Sequence, residues 1–323
     1  MLNQTHIAWI TDPWDTLDHS KDTTLRLIEE ASQLGVKQSW CNVKSIRLEQ
    51  GQILMDAHPI LEVLSSRGSE DFKLAPAIPT RPSQFSHLHY RTDPPVNEDY
   101  LYPLHMLALD LPSSHPSQVI NPLPILLGHN EKMEAFALPD LMPPTLVSCS
   151  WESLLSFGKG HSKTVLKPLN EAQSKGIELL QWNDSSSLQH ARAQIERLSH
   201  GFQTPVLLQA YLEDIHQGET RLWFLDGTLL GCIKKLPLAH DFRVNLDRGS
   251  LLEVTSLTQD QEQISKRIGS HLQKLGIRLA AVDLIGRWIT DFNFTSPGLI
   301  TQMEKLLNEN LAKKIIQKTL STP

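Results

Sequence analysis

Short apolar runs and periodic stretches alternate through the first third of the chain. His6–Thr11 is an apolar run of strand length. Beyond it Leu25, Ile28, Ala31 and Leu34 recur at the spacing of a helix face, with Asp22 placed to cap the start and Gly35 to end it. Val36–Val43 predicts the next strand and Arg47–Leu54 a hairpin about Gln50-Gly51. Phe85–Tyr90 predicts a strand that stops at Arg91-Thr92-Asp93-Pro94-Pro95, because successive prolines end a ladder. A helix from Asn97 to Leu109 and a short strand at Val119–Asn121 complete an α/β layout, most simply a parallel sheet with helices on both faces.

Pro112, Pro116, Pro122 and Pro124 then interrupt the pattern and set the first expected boundary. A helix over Glu131–Ala137, strands at Thr164–Leu169 and Gly176–Trp182, and a helix near Ser187–Leu198 make a small α+β unit. Val206–Leu212 opens a third stretch. Thr220–Leu225 and Thr228–Leu236 form a hairpin about Asp226-Gly227, a pair suited to the positive φ of a tight turn. A helix over Asp260–Leu275 ends at Gly276, a second hairpin joins Arg278–Ile285 to Trp288–Phe294, and the tail Leu299–Leu320 is helical and amphipathic. The expected domains are 1–120, 121–203 and 204–323.

Composition narrows the class. The 323 residues suffice for about two domains at roughly 150 residues each. Hydrophobic residues at 40% and charged residues at 20% exclude the pattern of a disordered chain. With 30 Lys+Arg against 36 Asp+Glu the net charge is −6, which disfavours a general nucleic-acid binder. No apolar run approaches the roughly 18 residues of a membrane span, and the first residues lack the basic-then-apolar order of a signal peptide. Cys41, Cys149 and Cys232 are sparse and unevenly spaced, as reduced thiols are, so a cytoplasmic protein with no membrane or nucleic-acid partner is expected.

Polar residues inside apolar strands are the candidates for chemistry. Asp283 lies near the end of one strand of the last hairpin, and Asp291 and Asn293 lie two apart on the next, hence on one face. That trio suits a hard cation such as Mg²⁺, although on pattern alone the solvated positions of a half-exposed sheet are the commoner reading. Lys167 interrupts an apolar run and Lys132 follows Asn130-Glu131; each can place a point charge on a phosphate or snorkel to water. Arg221 alternates with apolar neighbours, poised to stabilise a transferring phosphoryl group or to pair across strands with Glu219. The 14 histidines show no zinc-type spacing, and no GxSxG, Rossmann or P-loop fingerprint occurs.

The order of short motifs says more than any one of them. RTDPP (91–95), NP (121–122), NEKM (130–133), PPTLVS (143–148), VLKPL (165–169), LLQAYL (207–212), GETRLWFLDG (218–227), RVNL (243–246), AVDLIG (281–286) and ITDFNFTSP (289–297) follow one another. Together they resemble the bacterial glutathione synthetases, a family of ATP-grasp ligases, from the first strand to about residue 300. The resemblance implies an ATP-grasp fold: an N-terminal α/β preATP-grasp domain, a small lid domain, and a C-terminal domain, with ATP between the last two. It implies that γ-glutamylcysteine is joined to glycine through an acyl phosphate, with ATP as co-substrate and Mg²⁺ or Mn²⁺, in a homo-oligomer (dimer or tetramer). By the same resemblance Lys132 and Lys167 match the ATP-phosphate lysines. Gln209, Ala210, Tyr211 and Leu212 match the linker that edges the adenine, and Glu219 the acid that holds the ribose. Arg221 matches the arginine at the reacting phosphate, and Lys235 stands where a second arginine is usual. Asp283, Asp291 and Asn293 match the metal ligands. Ser296 and Pro297 match the turn beside the acceptor amino acid, and Arg91 and Asp93 the turn that faces the peptide substrate.

The chain departs from that family around the phosphates. Where the family has a glycine-rich loop after LKP, this chain reads Asn170-Glu171-Ala172-Gln173-Ser174-Lys175-Gly176. Asp291 replaces a glutamate, and Gly298-Leu299-Ile300-Thr301 lacks the usual charges. Besides glutathione synthesis, these departures leave open a ligase for another amino acid or peptide and a non-catalytic nucleotide-binding paralogue.

Overall fold

A computed structural model describes residues 5–63, 72–112, 118–239, 241–246 and 249–321. The N-terminal sheet comprises β1 (His6–Thr11), β2 (Lys37–Asn42), β3 (Arg47–Glu49), β4 (Gln52–Val63), β5 (Phe72–Leu74), β6 (Ile78–Thr80), β7 (His87–Tyr90) and β8 (Gln118–Ile120). β2-β1-β7-β8 are parallel. Ile7, Ala8, Trp9 and Ile10 of β1 are fully buried, and they alternate between two cores as strand geometry requires. Ile7 and Trp9 pack with Leu27 and Ile28 of α1 (Thr23–Gln33); Ala8 and Ile10 pack with Tyr100 and Leu104 of α2 (Glu98–Asp110). Asp22 and Asn97 cap these helices as expected, through Leu25 N–H and Tyr100 N–H.

The sheet is mixed where the simplest sequence reading was all parallel. β4 is antiparallel to β2 and carries β3, β5 and β6 on its other pairings. The turn at Gln50-Gly51 is present, but its second strand runs on to Val63, through His58-Pro59, which masks the continuation in the sequence.

Beyond α3 (Leu123–Gly128), the expected helix over Glu131–Ala137 is a turn followed by a 3₁₀ segment at Glu134–Ala137. So short a helix has little stability of its own. The Glu131 and Lys132 side chains are instead drawn inward to the C-terminal sheet. The middle sheet is antiparallel, in the order β11-β10-β12-β9: β9 (Thr145–Ser148), β10 (Lys163–Pro168), β11 (Glu178–Gln181) and β12 (Val206–Ala210). α4 (Trp151–Lys159) and α5 (Ser185–Leu198) cover it through Leu154, Ala191 and Ile195. β9 and α4 went unread in the sequence.

The third sheet has the order β15-β14-β13-β16-β17: β13 (Glu219–Leu225), β14 (Thr228–Leu236), β15 (Leu251–Val254), β16 (Leu279–Ile285) and β17 (Trp288–Asn293). α6 (Gln259–Leu275) packs Ile264, Ile268 and Leu272 on one face. The tail is two helices, α7 (Ile300–Leu307) and α8 (Leu311–Leu320), broken at Asn308 with φ +52°. They pack Ile300, Leu311 and Ile315 against the other face and against α1.

Two polar residues fasten the first and last parts of the chain. The Asn121 amide donates to the Leu279 and Phe294 carbonyls and accepts from Arg278 and Leu279 N–H, at 2.6–2.9 Å. Arg26 pairs with Glu30 of its own helix and with Glu304 of α7.

Acid is expected to loosen this fold through its histidines. His89 is fully buried against Trp9, and neither ring nitrogen has a hydrogen-bond partner among the described residues. Burial holds its basicity well below the ordinary value, and burial with Lys37 nearby lowers His6 to about 4. Both are neutral in the fold, whereas the unfolded chain protonates them near pH 6.5. Their contribution is complete above that pH and is lost as pH falls toward 4, at up to about 1.4 kcal/mol per pH unit for a fully buried group such as His89. The melting temperature should hold above pH 7 and fall below 6.5, and His89→Phe should flatten that fall; an unchanged slope sinks the assignment.

Candidate active site

Strand register assembles the site. Glu219 stands opposite Lys235, Arg221 opposite Asp283, and Asp283 opposite Asp291. Because alternate residues share a face, Lys235, Glu219, Arg221, Asp283, Asp291 and Asn293 make one charged row across four strands. The Arg221 guanidinium grips Asp283 with both prongs, Nε to Oδ1 at 2.9 Å and Nη2 to Oδ2 at 2.6 Å. The Lys235 ammonium lies 3.1 Å from Asp283 Oδ1 and also pairs with Glu219. Thr290 Oγ1 donates to the other Glu219 oxygen at 3.0 Å. Burial alone would raise Asp283, but Arg221 and then Lys235 outweigh it and hold the carboxyl well below the usual range.

Two further lysines enter from outside the row. Lys132 donates to Asp291 Oδ2 at 2.7 Å. Burial opposes its charge, but Asp291 and Glu131 reverse the effect and raise its basicity. Lys167, from β10, donates to neutral oxygens, the Gln209 side chain at 3.1 Å and the Thr290 carbonyl at 3.0 Å. Burial therefore wins there and lowers its basicity. A buried ammonium bonded to neutral groups is a strong site for an anion.

Two cavities meet at this row. One, of about 140 Å³, is walled by Lys132, Lys167, Gln209–Leu212, Glu219, Asp283 and Asp291. The other, of about 600 Å³, is walled on one side by Asp12, Asp22, Arg91 and Asp93 of the N-terminal domain and on the other by later residues that include Ser296. Arg221, Lys235 and Asn293 line both. All the residues singled out in the sequence therefore lie on one wall or the other except Pro297, which gives its carbonyl to Arg91 Nη2 at 2.8 Å. Arg91 is 4% exposed, and its Nε donates to Thr24 Oγ1 at 3.2 Å. Gln209 reaches the site by its side chain, which also donates to Thr145 Oγ1.

Sequence reasoning missed Glu131. It is buried, and one of its oxygens takes the N–H groups of Phe294 and Thr295 and the Thr295 hydroxyl, fixing the turn that carries Ser296. The signal for it in the sequence is a carboxylate next to Lys132 inside the NEKM motif.

A hard cation fits this chemistry. Asp291 Oδ1 is buried without a hydrogen-bond partner among the described residues, and Asp283 and Asn293 lie beside it on the row. No cluster of three or more His, Cys, Asp or Glu side chains suited to a metal occurs among the described residues. Two carboxylates and an amide match an ion that also binds substrate phosphates.

The fold and the lysine-lined cleft define an ATP-grasp ligase, an ATP-dependent enzyme that forms C–N bonds. Solved structures of that fold align over nearly the whole chain: D-cycloserine synthetase DcsG, with TM-score 0.65, 18% identity and coverage of 98% of this chain and 100% of that one; and ATP-grasp ligase PsnB complexed with a phosphomimetic variant of minimal precursor, Mg and ADP, with TM-score 0.63, 13% identity and 98% coverage of each chain. Family models for the prokaryotic glutathione synthetase N-terminal domain and ATP-grasp domain match residues 5–123 and 131–308. The chain belongs to the prokaryotic glutathione synthetase family. It is 30% identical over 323 residues to a glutathione synthetase of Nostoc sp., covering 96% of each, and 28% identical over 312 residues to that of Prochlorococcus marinus subsp. pastoris, covering 97% of this chain and 98% of the relative. Among the described residues no helix is long and apolar enough to cross a membrane.

Proposed function

We propose that this chain joins γ-glutamylcysteine to glycine, using ATP. The observation that carries this reading is the meeting of the lysine-lined and the Arg91-lined cavities at Arg221, Lys235 and Asn293. A carboxylate held in the larger cavity meets a γ-phosphate held in the smaller one at that junction. Lys132 and Lys167 hold the ATP phosphates, Gln209–Leu212 border the adenine, and Glu219 takes the ribose hydroxyls. The dipeptide carries two carboxylates and one ammonium. Arg91 answers a carboxylate, Asp93 the ammonium, and Ser296 with the adjoining Pro297 turn borders the acceptor.

The cysteinyl carboxylate oxygen attacks the γ-phosphorus and the bond to ADP breaks. The glycine amine then attacks the acyl carbon, loses a proton, and expels inorganic phosphate. Arg221 and Lys235 are fixed in place by Asp283 and Glu219, so they stabilise the moving charge without reorganising. Asp283, Asp291 and Asn293 would hold Mg²⁺ or Mn²⁺, which when bound would supply neutralisation of phosphate charge.

The test is ADP release with Mg-ATP and γ-glutamylcysteine, with and without glycine, and product mass read from the same tube. Glycine-dependent release with the mass of glutathione is expected; absence of release with both substrates present overturns the reading.

A further inference from the structure

The loop between β10 and β11 is the common wall of both cavities, since Ala172 and Gln173 line each of them. It is tied to residues outside the middle sheet. Asn170 accepts from Val96 N–H at 2.9 Å, and Leu169 from Asn130 Nδ2 at 2.9 Å. At the apex, Asn245 Nδ2 donates to the Gln173 carbonyl at 2.8 Å, and Gln173 Nε2 donates to Asp93 Oδ2 at 3.2 Å. Gln173 and Ser174 take φ +55° and +60°, where a Cβ is unfavourable, so these ties hold a backbone that glycine would adopt unaided. A glycine at residue 173 could shape the loop but could not reach Asp93.

We propose that Gln173 is a positioning residue that couples nucleotide binding to binding of the acyl donor. The proposal rests on the γ-glutamylcysteine reading above. The apex lies over the larger cavity, whose wall also includes Val244, Asn245 and Leu246. A donor in that cavity meets Gln173 only when the loop is closed, and closure also completes the wall of the nucleotide cavity. Each ligand therefore favours the state the other needs, which is positive coupling and must be reciprocal.

The experiment titrates the whole protein with Mg-ADP, with and without saturating γ-glutamylcysteine, and separately titrates γ-glutamylcysteine alone. In the wild type the donor should tighten ADP by about fivefold, at the lower end of ordinary coupling. Gln173→Ala should reduce that factor to below about twofold. Gln173→Gly, which relieves the positive φ but lacks the tie, should lose the coupling as well, the coupling being the ratio of ADP affinities with and without donor in each variant. Residue 173 is exposed, so both variants should fold, which a melting curve checks. Donor that binds alone but leaves ADP affinity unchanged, or coupling that survives in either variant, overturns the role of Gln173. Failure of γ-glutamylcysteine to bind at all overturns the donor assignment instead, and the coupling with it.

Discussion

Replacing Arg221 with alanine is expected to lower kcat by about a thousandfold and to leave the fold standing. The Arg221 guanidinium lies at the junction of the two cavities and is 13% exposed at its side chain. Its fork is spent on Asp283 at 2.9 and 2.6 Å, which sets its direction before substrate arrives. A donor already oriented in a water-poor site contributes more to a transition state than one that must be ordered. The fold survives because Asp283 keeps Lys235 and Asn293 as partners. Arg221→Lys recovers little of the rate, since one ammonium cannot hold both Asp283 oxygens and the substrate. The measurement is steady-state ADP release with saturating ATP, together with a melting curve. A loss confined to KM would move Arg221 from charge stabilisation to binding.

The Asp283, Asp291 and Asn293 part of the row was legible in the sequence, because strand periodicity and the Gly286 turn fix which residues share a face. The expected Arg221–Glu219 pair does not form: Arg221 grips Asp283 because β13 pairs with β16, and Glu219 pairs with Lys235 instead. What joins distant segments was not legible. Asp12, Asp22 and Arg91 meet the row because α7 and α8 fold back onto α1, a contact between residues hundreds of positions apart. The Glu131 bonds to the Thr295 turn and the Asn121 bonds to Leu279 and Phe294 are of the same kind. In the N-terminal sheet the parallel core was readable from the fully apolar β1. The long β4 was not, because His58-Pro59 resembles a break and it is the pairing with β2, β5 and β6 that carries the strand past it. The helix expected over Glu131–Ala137 failed for a related reason. Tertiary bonds claimed Glu131 and Lys132 at the cost of local helical structure.

Asp283→Asn is expected to remove both activity and stability, and the two losses can be separated. Asp283 is 3% exposed and balances two buried cations, Arg221 and Lys235. Neutralising it leaves Arg221 without its carboxylate partner, a change that typically costs about 3–5 kcal/mol. The melting temperature should therefore fall by several degrees. Asp283→Asn combined with Arg221→Gln removes the charge on both sides and should regain most of that loss, since a neutralised pair no longer strands a buried cation. Activity should not return in the double variant, because the carboxylate assigned to the ion and the guanidinium assigned to the phosphoryl group are both gone. The pH dependence distinguishes this effect from that of the histidines. A carboxyl held low in the fold contributes stability that is present above its unfolded value near 4 and is lost only as pH falls through the folded value. The gap between wild type and Asp283→Asn should thus stay constant from pH 8 to pH 5, while both proteins share the decline due to His6 and His89. A gap that narrows between pH 7 and 5 would mean that Asp283 is not the ionised partner of Arg221.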